Sequence, residues 1–98
     1  MSNLIAKEYK SFETIKHLSE DGREFWYARE LAMVLEYVQW RNFAKVLDRA
    51  KLSCKNSGYA IADHFAEVSK MIAMPKSAIK QVVDFMLTRY ACYLIVHQ

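Results

Sequence analysis

The stretch from Trp26 to Gly58, WYARELAMVLEYVQWRNFAKVLDRAKLSCKNSG, constrains the fold of this chain more than any other. Ala28, Leu31, Ala32 and Leu35 recur at three- and four-residue steps, which lines one side of a helix with apolar groups. Tyr37, Val38 and Gln39 interrupt the pattern. Trp40, Phe43, Ala44, Leu47, Ala50 and Cys54 then resume the same period, with Arg41, Lys45, Asp48, Arg49 and Lys55 on the opposite side. Two helices with so short a break have the outline of a helix-turn-helix, whose second helix can lie in the major groove of DNA. A helical hairpin with a solvated basic face has the same outline.

The rest of the chain supplies the elements that pack on this pair. Residues 1–10 mix Leu4 and Ile5 with charge and read as a loose arm. Ser11 is a suitable cap for a short helix through Phe12, Ile15 and Leu18. The competing assignment is a strand through Ile15–Leu18, since Asp21-Gly22 is a strong hairpin turn. Glu24 to Tyr27 is aromatic and extended, a short strand leading into the helix pair. Gly58 suits the left-handed residue that ends a helix. Ile61, Phe65, Val68 and Ile72 predict a further helix opened by Asp63, giving way near Lys70 to a strand over Met71–Met74. Pro75 breaks that strand, Lys76 to Lys80 form a basic loop, and the β-branched and aromatic run Gln81–Leu87 predicts a partner strand. Thr88 caps a last helix over Arg89–Gln98, with Tyr90, Ala91, Leu94 and Ile95 inward. The expected class is α+β: a helical core around the helix-turn-helix-like pair, with one or two small β-hairpins.

A chain of 98 residues is long enough for one domain with a core that needs no metal or disulfide staples. With 53% hydrophobic residues, two Gly and one Pro, it is not a disordered segment. The net charge of +3 permits an anionic partner without demanding one. Its distribution says more: residues 38–59 hold Arg41, Lys45, Arg49, Lys51 and Lys55 against Asp48, while Glu13, Glu20, Asp21, Glu24 and Glu30 come earlier. A one-sided basic surface is the electrostatic footprint of nucleic-acid binding. Cys54 and Cys92 fall on apolar helix positions and read as buried free thiols in a reducing compartment, the cytoplasm. They form no Cys-x-x-Cys pair, and His17, His64 and His97 are isolated, so no metal-ligand spacing exists. No run is apolar enough to span a membrane, and no signal sequence is evident. No cofactor is implied and there is no case for an enzyme: Asp63-His64 lacks a placed nucleophile, and no glycine-rich phosphate loop is present.

The candidate nucleic-acid contacts are therefore Arg41, Lys45 and Arg49 on one helix face, Asn42 beside them, Lys51 and Lys55 extending the field, and Arg89 just after the Thr88 cap. Lysine and arginine displace counterions from phosphates, and Arg can pair with guanine edges. Arg29 has a competing use as an ion-pair partner of Glu36 or Asp63. Trp26 and Trp40 sit on apolar stripes and read as core residues, not base-stacking platforms. The chain ends inside a helical pattern, which predicts an apolar patch at Tyr90, Leu94 and Ile95 that a second copy would cover as a homodimer.

The segments WYARELAMVLEYVQWRNFAKVLDRAK, NSGYAIADHFAEVSKMI and LTRYACYLIVHQ, in this order, resemble the Bro-N-type domain that opens the DNA-damage-inducible D proteins of bacteria. The same module occurs in phage antirepressors and baculovirus proteins. The resemblance covers Phe12 to Gln98 and implies a DNA-binding module of the SOS response. It further implies action on RecA filaments on single-stranded DNA, restraining strand exchange, and a longer chain continuing past Gln98. A module that docks on RecA or another protein without touching DNA is the alternative. One departure stands out: the family has Gly-Tyr where this chain has Glu36-Tyr37. Glycine suits a left-handed helix end; glutamate there costs about 1 kcal/mol unless the break opens by one residue.

Overall fold

The computed structural model describes residues 6–98, with side chains from Lys10 onward. The order is α1 (Ala6–Thr14), β1 (His17–Leu18), β2 (Glu24–Tyr27), α2 (Ala28–Val34), α3 (Trp40–Asn56), α4 (Ile61–His64), β3 (Phe65–Ala73), β4 (Ile79–Leu87) and α5 (Arg89–Val96). The class is α+β, as expected: helices around a four-stranded antiparallel sheet of order β1-β2-β4-β3.

At the start of the chain both readings of the sequence hold in part. The helix begins before Ser11, so Ser11 is interior and not a cap. Residues 6–10 of the expected loose arm belong to α1, and residues 1–5 lie outside the described residues. The helix stops at Thr14 because His17 and Leu18 pair with Phe25 and Glu24 across the Asp21-Gly22 turn. Gly22 takes φ +82°, which only glycine adopts without cost. The His17 ring packs on Phe25 and Tyr27, and its Nε2 lies 2.7 Å from Glu30 Oε1.

The expected helix from Ile61 to Ile72 is overturned. It ends after one turn at His64, and Phe65–Ala73 is a strand paired residue for residue with Ile79–Leu87. The apolar spacing is helical, but the strand buries side chains with a period of two from Val68 onward: Val68, Lys70 and Ile72 are half-buried between exposed neighbours, and Phe65 is buried on the opposite face. Asp63 opens nothing; it is exposed inside α4. His64 Nδ1 is hydrogen-bonded to Thr88 Oγ1 at 2.6 Å, and its ring sits between Tyr59 and Tyr90. Pro75 falls in the tight connection between the strands, where no ladder hydrogen bond needs its missing N–H.

The core lies where α2, α3 and α5 meet the base of the sheet. Trp26, Leu31, Phe43, Leu47 and Leu87 are completely buried, with Ala28, Ala50, Cys54 and Ala91 filling between them. Trp26 stacks on Phe12 at 4.4 Å, and its Nε1 donates to the Phe12 carbonyl at 2.9 Å. Leu35, expected in the same buried set, is only half-buried because α2 ends one residue before it. Leu47→Ala is expected to cost about 3 kcal/mol, from lost transfer energy plus the residual cavity. Urea unfolding would measure it, with an unchanged slope confirming that only stability moved.

Thr88 caps α5, its Oγ1 accepting from the Ala91 N–H at 3.1 Å. The apolar side of α5 turns onto α3 of the same chain. Ile95 is buried, Tyr90 and Leu94 pack against the core, and Gln98 Nε2 donates to Ser53 Oγ. That covering counts against the expected homodimer patch; Tyr93 is the large hydrophobic residue of α5 left exposed. Cys54 and Cys92 are buried free thiols, and burial pushes both thiol pKa values up, away from reactivity. Among the described residues, no helix is long and apolar enough to cross a membrane.

Candidate nucleic-acid interface

α3 is the longest helix described, 17 residues, and its sequence divides it cleanly. Phe43, Val46, Leu47, Ala50 and Cys54 are buried, while Arg41, Asn42, Lys45, Asp48, Arg49 and Lys55 stand in solvent. The four-residue spacing of Arg41, Lys45 and Arg49 puts them one above another on the helix surface. The pairing of charges elsewhere sharpens the contrast. Lys16, Arg23, Lys70 and Arg89 each meet a carboxylate. Among the described residues, no ion pair holds Arg41, Lys45, Arg49, Lys51 or Lys55. No acid occupies the first turn of α3, and Lys55 in its last turn suits the negative end of the helix dipole.

Two of the sequence candidates sit differently. Lys51 is half-buried, with its Nζ 4.1 Å from the centre of the Phe85 ring, so it joins α3 to the sheet as well as adding charge. Arg89 follows the α5 cap as expected, but its guanidinium is taken up by carboxylates. Nε donates to Glu24 Oε2 at 2.8 Å, and Nη2 reaches Glu24 Oε1 at 3.0 Å and Glu13 at 3.3 Å. Arg89 in turn holds the Glu24 carboxyl below the usual carboxylate range. Stability from this pair is present at neutral pH and is lost as the pH falls through that lowered value.

What orients α2 and α3 against the sheet was not among the sequence candidates. β2 runs straight into α2, so the edge of β4 beyond Met86 loses its strand partner. Asp84, completely buried, fills that gap: its Oδ1 accepts from the Arg29 N–H at 3.0 Å and from the Phe85 N–H at 2.8 Å. A carboxylate thereby caps the N-terminus of α2 from 55 residues away. Lys70 Nζ lies 2.9 Å from Asp84 Oδ2 and 3.5 Å from the centre of the Tyr27 ring, which neutralises the buried charge. The Arg29 side chain completes the joint. Its Nε donates to the Val83 carbonyl at 2.8 Å, and its guanidinium stacks 4.1 Å over Trp40 at the start of α3. Arg29 therefore bonds neither Glu36 nor Asp63, the two partners expected from its charge. The available signal was Asp84 itself, a lone acid in the apolar run Val82–Leu87.

The break between the helices keeps its shape at a local cost. Glu36 has φ +64°, the left-handed conformation that glycine would take freely, and Tyr37 N donates to the Ala32 carbonyl at 2.9 Å. The first of the two alternatives for Glu36 is the one adopted. Tyr37 then packs edge-on to Phe43, which ties the break to the core.

The chain is 43% identical over 90 residues to DNA damage-inducible protein D of Escherichia coli (strain K12), a match covering 92% of this chain and 33% of that protein. The chain thus spans about a third of the length of this relative. No solved structure matches it significantly. The family model for the BRO family, N-terminal domain, matches residues 14–98, from the end of α1 through α5, and the chain belongs to that family.

Proposed function

We propose that this domain is a nucleic-acid-binding regulatory module of the bacterial DNA-damage response, acting in the cytoplasm. In this reading α2 and α3 work as a helix-turn-helix and α3 meets DNA through Arg41, Asn42, Lys45 and Arg49, with Lys51 and Lys55 adding to the field. The domain acts on DNA and RecA filaments to restrain recombination. The observation that supports it best is the set of exposed cations on α3 with no carboxylate partner among the described residues. Cations held out of internal pairs are available to release counterions from phosphates. Arg89, engaged by Glu13 and Glu24, is a weaker contact that must break those pairs to reach a phosphate.

The test is binding to single-stranded DNA, duplex DNA and RecA filaments at two salt concentrations. A phosphate-dominated interface loses affinity steeply with salt. Lys45→Ala is expected to weaken binding about uniformly across sequences and flatten the salt slope by about one unit. Arg41, in the first turn, is placed for a base edge, and Arg41→Ala should relax preference at one position by about 1–3 kcal/mol. Binding to RecA that ignores both salt and these changes would support a protein-docking module instead.

A further inference from the structure

The β3–β4 hairpin is longer than the core requires. Its base is buried at Phe65, Asp84, Phe85 and Leu87, yet the strands run on for five residue steps from the Val68–Asp84 pair to the Ala73–Ile79 pair. At ~3.3 Å per residue that is an arm of about 17 Å. Its outer part is apolar without being buried: Met71 is 66%, Ile79 68% and Met74 38% exposed. Between residues 68 and 83 there is no Asp or Glu, while Lys70, Lys76 and Lys80 are all present. Lys70 is spent on Asp84; Lys76 and Lys80 have no ion-pair partner among the described residues.

The orientation of the arm follows from its register. Paired residues of antiparallel strands share a face, so Met71, Ala73, Ile79 and Val83 lie on the face that carries Phe85. Phe85 is the residue under Lys51 of α3. The exposed apolar face of the arm and α3 are therefore on the same side of the sheet. At the tip, the chain turns through Pro75 with Lys76 and Ser77 both at positive φ, 64° and 63°, in residues that rarely adopt it.

We propose that the hairpin is a second DNA-contacting arm, whose aliphatic tip of Met74, Pro75 and Ile79 wedges into a base step of duplex DNA from the minor groove. Lys76 and Lys80 hold the flanking phosphates. This inference rests on the DNA-binding reading of α3. The chemistry selects the occupant. An acid-free arm with two free lysines complements a polyanion. The stretch from residue 69 to 83 has no aromatic side chain on which an unpaired base could stack, which disfavours single strands. Aliphatic and proline side chains between cations are the means by which duplex-bending proteins unstack and kink a step, by about 20–90°.

The experiment uses the 98-residue chain, a duplex labelled at both ends for energy transfer, and an equal-length single strand. The variants are Met74→Ser with Ile79→Ser, and Lys76→Ala with Lys80→Ala. All four positions are exposed, and unchanged melting temperatures would show that the fold is intact. The parent is expected to bring the duplex ends closer. The serine pair should lose that bend and about tenfold in duplex affinity, with its salt slope and single-strand binding unchanged. The alanine pair should flatten the slope by about two units. If both hairpin variants bind and bend the duplex as the parent does, while charge reversal on α3 abolishes binding, the arm proposal falls and the DNA reading stands. A parent complex in which the duplex stays straight also overturns the wedge. A parent that binds no DNA at low salt removes the DNA reading itself. Hairpin variants that instead abolish a concentration-dependent self-association assign the arm to a second copy of the chain.

Discussion

Reversing three charges on α3 together, Arg41→Glu, Lys45→Glu and Arg49→Glu, is expected to lower DNA affinity by at least about a thousandfold at moderate salt, with the fold intact. The three positions are exposed and make no ion pair among the described residues, so their replacement removes nothing the fold uses. On the proposed reading each change removes a favourable phosphate contact and adds a repulsion, and the contributions of separated phosphate contacts accumulate. The helix itself tolerates glutamate well, since straight-chain residues keep their rotamer freedom there. Anisotropy titration alongside circular dichroism reads both quantities. A folded triple variant with parental DNA affinity would sink the nucleic-acid reading and leave the protein-interaction module.

Asp84→Ala is expected to be among the most destabilising single changes, by about 4 kcal/mol. The substitution leaves the Arg29 and Phe85 N–H groups without their acceptor and strands Lys70 against a buried wall. Lys70 keeps some access to water, which limits the cost. Asp84→Asn separates the two contributions. It keeps an oxygen for both N–H groups and loses the charge, so it should cost about half as much. The readout is the urea midpoint at constant slope. A second measurement tests the joint. If Asp84 and Arg29 fix α2 and α3 against the sheet, Asp84→Asn should weaken DNA binding even at temperatures where it is fully folded. An Asp84→Ala variant as stable as the parent would show that the carboxylate is dispensable as the cap of α2.

α2 and α3 were legible in the sequence because helix formation at this length is decided by residues three and four apart. The stripe from Phe43 to Cys54 says which side is buried whatever it is buried against. The Asp21-Gly22 turn, the Gly58 stop and the Thr88 cap were legible for the same reason, since each acts through backbone groups within a few residues. The exposed positions of Arg41, Lys45 and Arg49 follow from that periodicity alone. The tertiary structure decided the rest. Phe65, Val68 and Ile72 keep a helical period, whereas in the strand Phe65 lies on one face and Val68 and Ile72 on the other, and only the presence of β4 alongside makes the strand the lower free energy. The partners of the charged residues were likewise beyond local reading. Arg89 finds Glu24 from 65 residues away, the Arg29 guanidinium bonds the Val83 carbonyl, and the buried Asp84 takes Lys70 as its ion-pair partner. A sequence displays which side chains are ionised, but whether a cation is free to meet a phosphate depends on which carboxylate the fold brings within reach.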